Sequence, residues 1–289
     1  MARLDLRHPA NAEGDWFVDT RCIDCGTCRD LAPSLFAEAR GASVIDRQPT
    51  AGEMTDAWLA AQACPTQSIG TRSRQPRPGR LYPREIEDGS GVFDCGYCSE
   101  DSFGASAWFV RRGVGNVMVD SPRFTAALAD PIEKMGGLAH VLLTHRDDVA
   151  DAHRWAGRFG ARVWIHADDA NAARFATDVV SGVEAVDVQP GLAAIPTAGH
   201  TKGSMMFLLH RRYLFTGDSL AWDHRRGDLT AFRDACWWSW SEQARSLARL
   251  AANHRFEWVL PGHGARAHAG SDAMHDRLAA LVARMQPQG

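Results

Sequence analysis

From about residue 105 onward, the apolar positions switch repeatedly between a period of two and a helical period. Ala105–Arg111 and Asn116–Asp120 are short runs rich in β-branched and aromatic residues on either side of Gly113–Gly115, a pattern that predicts two paired strands. Phe124–Met135 repeats at helical spacing and stops at Gly136–Gly137. Leu138–Thr144 is a continuous apolar run, read as a buried strand. A helix is expected over Asp151–Phe159 and a strand over Arg162–His166, then strands over Leu192–Thr197, Ser204–His210 and Tyr213–Thr216. Ser241–Asn253 reads as a helix with Ser239 or Ser241 at its N-cap, Glu257–Leu260 as a last strand and Ser271–Met285 as a closing helix. Short strands broken by helices predict an α/β fold of sheets covered by helices.

The chain ahead of this region is different. All four cysteines of one group lie before residue 70, and Thr71–Glu85 is rich in Arg and Pro and poor in apolar residues. That composition predicts a linker. The expected division is residues 1–71, a linker over 72–85, and a second domain over 86–289. The linker arginines could meet an acidic partner; a solvated run is the reading preferred.

A length of 289 residues suits about two domains. A net charge of −3 gives no case for nucleic-acid or membrane binding. No apolar run approaches the ~20 residues of a membrane helix. The first residues mix charges and hold no apolar signal core. A cytoplasmic protein with neither nucleic acid nor membrane as a partner is expected. Seven cysteines in such a chain point to metal binding or catalysis rather than to a disulfide framework.

Cys22, Cys25 and Cys28 stand three residues apart, and Cys64 follows at a distance with Pro65 behind it. Three such thiolates can wrap one loop around a cubane, each reaching a different iron, while the remote cysteine supplies the last ligand. A structural zinc site more often uses two C-x2-C pairs. The long gap to Cys64, with no second tight run, suits one four-iron cluster. Cys22, Cys25, Cys28 and Cys64-Pro65-Thr66 resemble the single-cluster bacterial-type ferredoxins over roughly residues 15–70. The resemblance implies a [4Fe-4S] cluster used for one-electron transfer or redox sensing.

Four later pieces each put a His or Asp at the end of a predicted strand: Thr144-His145, Gly199-His200-Thr201-Lys202-Gly203-Ser204, Thr216-Gly217-Asp218-Ser219 and Pro261-Gly262-His263-Gly264. Neighbouring glycines let the backbone turn sharply there and bring the ligands toward a shared point. Imidazole and carboxylate together suit zinc, iron or manganese.

These pieces resemble the metallo-β-lactamase superfamily, nearest its glyoxalase II-like hydrolases, over about residues 91–268. The resemblance implies a four-layered αβ/βα sandwich with one or two divalent metal ions (Zn, Fe or Mn) at one sheet edge. It makes His145 and His200 ligands of the first metal, Asp218 the bridge and His263 a ligand of the second. The first motif departs from the family's T-H-x-H-x-D-H: Asp147 stands at the second-histidine position, two residues are added before Asp151, and Ala152 follows it. A shift of one residue turns a helical side chain by about 100°, so His153 is left out. Asp147 and Asp151 complete the ligand set, with Asp148 a competitor for Asp147. Asp218 or Asp151 would orient the water. A carboxylate in place of an imidazole makes the site harder and favours iron or manganese relative to zinc.

Weaker features are Cys95 and Cys98, balanced between a redox pair and buried thiols; Trp237, Trp238 and Trp240, read as packing; and His224-Arg225-Arg226, read as a solvated loop. The expected function is metal-dependent hydrolysis of an ester, thioester or amide, with a small-molecule substrate and a redox partner protein for the cluster. The alternatives are an iron-dependent redox enzyme fed by the cluster, and an electron carrier whose second domain is a non-catalytic scaffold.

Overall fold

The computed structural model describes residues 2–285. The N-terminal part is built from β1 (Trp16–Val18), α1 (Thr27–Leu31), the hairpin β2 (Phe36–Glu38) and β3 (Ser43–Ile45), α2 (Met54–Ala63) and β4 (Ile69–Thr71). β4 returns antiparallel to β1, pairing Trp16 with Thr71. Its core gathers Trp16, Val18, Leu35, Phe36, Ile45, Trp58 and Ile69 with Cys28 and Cys64.

The expected linker is exposed over residues 76–80 but ends sooner than the sequence suggested. Tyr82 is fully buried and donates its hydroxyl to the Leu59 carbonyl at 3.2 Å. The edge strand β5 (Arg84–Glu85) already belongs to the second domain's sheet. The Arg and Pro content concealed this, because one aromatic anchor decides the path.

Two sheets follow. The first contains β5, β6 (Val92–Asp94), β7 (Trp108–Val110), β8 (Val117–Val119), β9 (His140–Leu142), β10 (Arg162–His166) and β11 (Asp178–Val180), in the spatial order β11-β10-β9-β8-β7-β6-β5. The second contains β12 (Val186–Gln189), β13 (Leu192–Pro196), β14 (Met205–Leu209), β15 (Tyr213–Gly217), β18 (Trp258–Pro261) and β19 (Ala267–His268), in that order. A hairpin of β16 (Ala221–Asp223) and β17 (Asp228–Thr230) stands apart.

Period-two alternation explains the layering. On β7 and β8, Trp108, Val110, Val117 and Val119 face the second sheet, while Phe109 and Met118 face α3 (Ala126–Lys134) and α4 (Ala152–Phe159). On β14 and β15, Met205, Phe207, Leu209 and Phe215 enter the inter-sheet core, while Met206, Leu208 and Leu214 meet α5 (Trp240–Asn253) and α6 (Ser271–Met285). The result is a helix–sheet–sheet–helix sandwich, and a strand slipped by one residue would exchange its two cores. Ser239 caps α5, accepting from the Glu242 N–H at 3.3 Å.

No helix among the described residues is long and apolar enough to cross a membrane.

Candidate metal centre and cluster site

His145 follows β9, His200 lies between β13 and β14, Asp218 follows β15 and His263 follows β18, so all four sit at one edge of the sandwich. The two sheets are tied there by the Met205 N–H on the Thr144 carbonyl at 2.7 Å. Gly217 has φ +49, and a Cβ on it would lie 2.5 Å from Thr144 Oγ1. Only glycine lets the β15 end pass that close, which is why a glycine precedes Asp218.

His145 Nε2 lies 3.9 Å from Asp147 Oδ2 and 3.7 Å from Asp218 Oδ2. His200 Nε2 lies 3.6 Å and 3.8 Å from the same two oxygens. A tetrahedral ion bonded at about 2.0–2.2 Å sets its ligand atoms about 3.3–3.6 Å apart. These four imidazole–carboxylate edges are therefore a few tenths of an ångström wider than that ideal; His145, Asp147 and His200 can meet at one ion, and His145, Asp148 and Asp218 form a neighbouring trio. Both Nε2 atoms are buried without a hydrogen-bond partner among the described residues. Two such atoms aimed at one point are costly unless something accepts their lone pairs. The residues fit a metal ion.

The tautomers support this. Asp120 is buried and accepts from the Thr144 N–H at 2.8 Å and from Thr144 Oγ1 at 2.9 Å. Thr144 Oγ1 lies 3.0 Å from His145 Nδ1. When Asp120 is ionised it accepts the hydroxyl's hydrogen bond, and the hydroxyl then accepts from Nδ1 and leaves Nε2 as the lone-pair donor. Burial, ahead of the opposing pull of Asp218, holds His145 down at about 4, so its imidazole is neutral. Burial pushes the Asp120 carboxyl up to about 8 against the Thr144 hydrogen bonds. His200, facing Asp147 across a gap beyond hydrogen-bond reach, holds that carboxyl below its usual range.

The structure overturns one sequence expectation. Asp151 does not enter the site: its Oδ2 accepts from the Phe124 N–H at 2.7 Å and meets Arg154 at 3.3 Å, just ahead of α4. Asp148 points in instead, fully buried, with neither carboxylate oxygen hydrogen-bonded among the described residues. Its Oδ2 lies 4.0 Å from His145 Nδ1, and a Cβ on Gly262 would be 2.7 Å from it and from Asp218 Oδ1. The cause is the tight 3-10 turn at Arg146–Asp148, which aims Asp147 and Asp148 at different parts of one site before the chain reaches α4. Burial, and then the nearby Asp218 charge, push the Asp148 carboxyl well up. His153 is exposed on α4 beside Phe175.

His263, expected as a ligand of a second metal, has both ring nitrogens engaged by protein atoms and stands behind Asp218 instead. Its Nδ1 lies 2.9 Å from both Asp218 oxygens, and its Nε2 lies 3.2 Å from the Phe103 carbonyl. Burial would lower His263, but Asp218 overrides it and raises it to about 10. Burial would likewise raise Asp218, yet His263, with help from His145 and His200, holds it well below the carboxylate range.

Asp169 went unnoticed in the sequence. It accepts from the Arg146 N–H at 3.0 Å and from Thr201 Oγ1 at 2.5 Å, so it locks the His145 loop to the His200 loop. Its partners are distant in the chain, and no local spacing signals the role. Trp237 and Trp238, read as core or lid packing, do not lie in the core. They are 67% and 46% exposed, and the Trp237 ring lies 6.1 Å from the His200 ring. Phe103, also exposed, lies 6.1 Å from the His263 ring.

In the N-terminal part the four cysteines converge on one cavity that Ile23 and Pro65 also line. Cys28 sits in α1 and Cys64 at the C-cap of α2. Cys22 Sγ receives the Ser43 N–H at 3.3 Å and Cys64 Sγ the Ser68 N–H at 3.3 Å. Such bonds stabilise thiolates and tune a cluster's potential. Burial pushes the Cys25 and Cys28 thiols up, so the cradle favours thiolates only with compensating iron charge. Cys95 and Cys98 are both buried, and Cys98 packs with Leu59, Ala63 and Tyr82 between the domains.

Comparison with known proteins agrees with this geometry. Residues 18–71 match the family described as the 4Fe-4S single cluster domain of Ferredoxin I. Residues 95–284 match the metallo-beta-lactamase superfamily. A hydroxyacylglutathione hydrolase of Acidiphilium cryptum is 35% identical over 118 residues, 39% of this chain and 48% of that protein. The chain thus spans about half the length of this curated relative. A ferredoxin of Moorella thermoacetica is 39% identical over 51 residues, 17% of this chain and 81% of that protein. Among solved structures, the metallo-beta-lactamase DIM-1 aligns with a TM-score of 0.54 at 18% identity, covering 70% of this chain and 96% of its own. FIM-1 from Pseudomonas aeruginosa, in its mono-zinc form, aligns with a TM-score of 0.52 at 17% identity, covering 70% and 94%. These likenesses show the fold. With two sheets between helices, a metal cradle at their shared edge and a four-cysteine cavity ahead of them, the chain belongs to the metallo-beta-lactamase superfamily and carries an N-terminal 4Fe-4S single-cluster ferredoxin domain.

Proposed function

We propose that the protein is a metal-dependent hydrolase acting on a small thioester or ester, with His145, Asp147, His200 and Asp218 holding the metal. The observation that carries this reading is the pair of partnerless imidazole nitrogens, each 3.6–3.9 Å from the carboxylates of Asp147 and Asp218. A bound ion there would supply Lewis acidity and a water ionised near neutral pH. Two imidazoles and two carboxylates make a hard, anionic donor set that favours iron or manganese relative to zinc.

The chain's own groups do the rest. Asp218 is held ionised by His263, so it can accept a hydrogen bond from, and so orient, a water beside the cradle. Asp148, with both oxygens free of partners, offers a further hydrogen bond on the same side. Trp237 and Phe103 flank the opening as apolar walls for an acyl group. The thioester preference rests on the Acidiphilium relative, whose name describes hydrolysis of a glutathione thioester.

The test is a panel of acyl thioesters, esters and amides offered to protein loaded with iron, manganese or zinc. Turnover should appear with a thioester or ester and vanish in His200→Ala. A metal-loaded protein inactive on the whole panel would contradict the proposal.

A further inference from the structure

The two halves meet at one short loop, residues 99–106, which touches the cluster ligands on one side and the metal site on the other. On the cluster side, Thr27 Oγ1 donates to the Gly104 carbonyl at 2.8 Å and lies 3.3 Å from Cys25 Sγ. Gly104 has φ +89, and a Cβ on it would stand 2.7 Å from Cys25 Sγ, so only glycine allows the loop to lie against this ligand. On the other side, the adjoining Phe103 carbonyl accepts from His263 Nε2 at 3.2 Å. His263 Nδ1 in turn bonds Asp218, a member of the metal cradle. The loop is fixed at both ends: the Ser106 N–H bonds the Gly262 carbonyl at 2.7 Å, and the Cys98 N–H bonds the carbonyl of Ala63, beside Cys64, at 3.1 Å.

We infer that this loop couples the cluster to the metal site, along Cys25, Thr27, Gly104, Phe103, His263 and Asp218. Electron transfer falls steeply across gaps, and here every step is a covalent bond or a polar contact of 3.3 Å or less. Both ring nitrogens of His263 are engaged along this line. Hydrolysis alone has no use for such a path, so the inference goes beyond the proposed function; it rests only on that reading's metal site. One electron would leave the reduced cluster, which passes from the 1+ to the 2+ state, and convert one ferric ion at the site to ferrous. No bond forms or breaks. The electron enters the cluster from a low-potential one-electron donor, a small redox protein by class and dithionite in the experiment.

The experiment uses the full chain with its cluster and either Mn(II) or Zn(II) added. Manganese at the cradle should speed the spin relaxation of the reduced cluster in electron paramagnetic resonance, and zinc should not. Manganese bound at one ion per chain without any change in relaxation would overturn the coupling alone. Failure of manganese, zinc and iron to bind beyond the cluster would overturn the metal-site reading as well. In iron-loaded protein, the rate at which a photoreduced cluster reduces the ferric site should fall several-fold in Thr27→Val, with manganese relaxation unchanged. Equal rates in the two proteins would overturn the path through Thr27 and Gly104. The relaxation measurement needs no variant and stands whether or not Thr27→Val keeps its cluster.

Discussion

His145 and His200 reach the cradle from different sheets, and each brings a buried Nε2 that no atom of the described residues satisfies. A metal answers that need, so His200→Ala should lose the non-cluster ion and its turnover, measured by elemental analysis and assay. Asp151→Ala should behave oppositely. It should keep the metal and lose about 1–2 kcal/mol of stability with the carboxylate bond to the Phe124 N–H, read by denaturant unfolding. The pH behaviour of chelator-treated protein follows from His145. Its folded value near 4 lies below the ordinary 6.5, so the unfolded chain takes up the proton first as pH falls. This contribution is fully present above about 6.5 and is lost as pH falls toward about 4. Asp120 and Asp148, whose carboxyls burial raises, act with the opposite sign over the same window, so the His145 contribution is read from its own imidazole by NMR: a ring that took up its proton near 6.5 in the folded, chelator-treated protein would contradict it. His200, Asp218 and His263 stand in local motifs beside glycine, and His145 follows Thr144 at a strand end, so these positions could be singled out from the sequence. Asp148 was read only as a competitor for Asp147, and Asp151 was preferred, because a 3-10 turn and a helix aim the same spacing differently.

Strand alternation carries the architecture. Trp108 and Phe109 enter different cores from adjacent positions, and so do Met205 and Met206. That period was readable in the longer apolar strands, which match the expected ranges to within about a residue at each end, and α6 falls on the expected Ser271–Met285. The strands β5, β6, β11 and β12 escaped notice. They are two to four residues long, and β12 exposes half of its positions, so pairing with neighbours defines them more than their own pattern. The α5 N-cap matters for more than the helix. The Ser239 N–H bonds the Gly199 carbonyl, and the Trp237 N–H bonds that of His200. Ser239→Ala should cost about 1 kcal/mol and also raise the dissociation constant for metal, because the His200 loop hangs on this turn. A pure stability loss with unchanged metal affinity would separate the two roles.

At the scale of the molecule, the domains share packing as well as a chain. Tyr82 lies fully buried with Leu59, Ala63 and Cys98. Arg123 bonds the Pro65 carbonyl at 2.9 Å, and His224 lies 3.3 Å from the Asp30 carbonyl, so the segment expected to be a free loop meets the ferredoxin domain. Truncating a buried aromatic costs about 3–5 kcal/mol. Tyr82→Ala should approach that loss and loosen the cluster side together with the metal side, seen as faster proteolysis at both. The four-cysteine spacing made the cluster domain readable without this interface. The interface itself was hidden, because its partners lie on separate segments that no local pattern joins.

The account stands most directly on the composition of the protein purified without oxygen. The wild type should contain about four irons and four sulfides per chain, and one further metal ion that disappears in His200→Ala while the cluster remains. A wild type that holds the cluster and no further metal, even after reconstitution with iron, manganese or zinc, would contradict it.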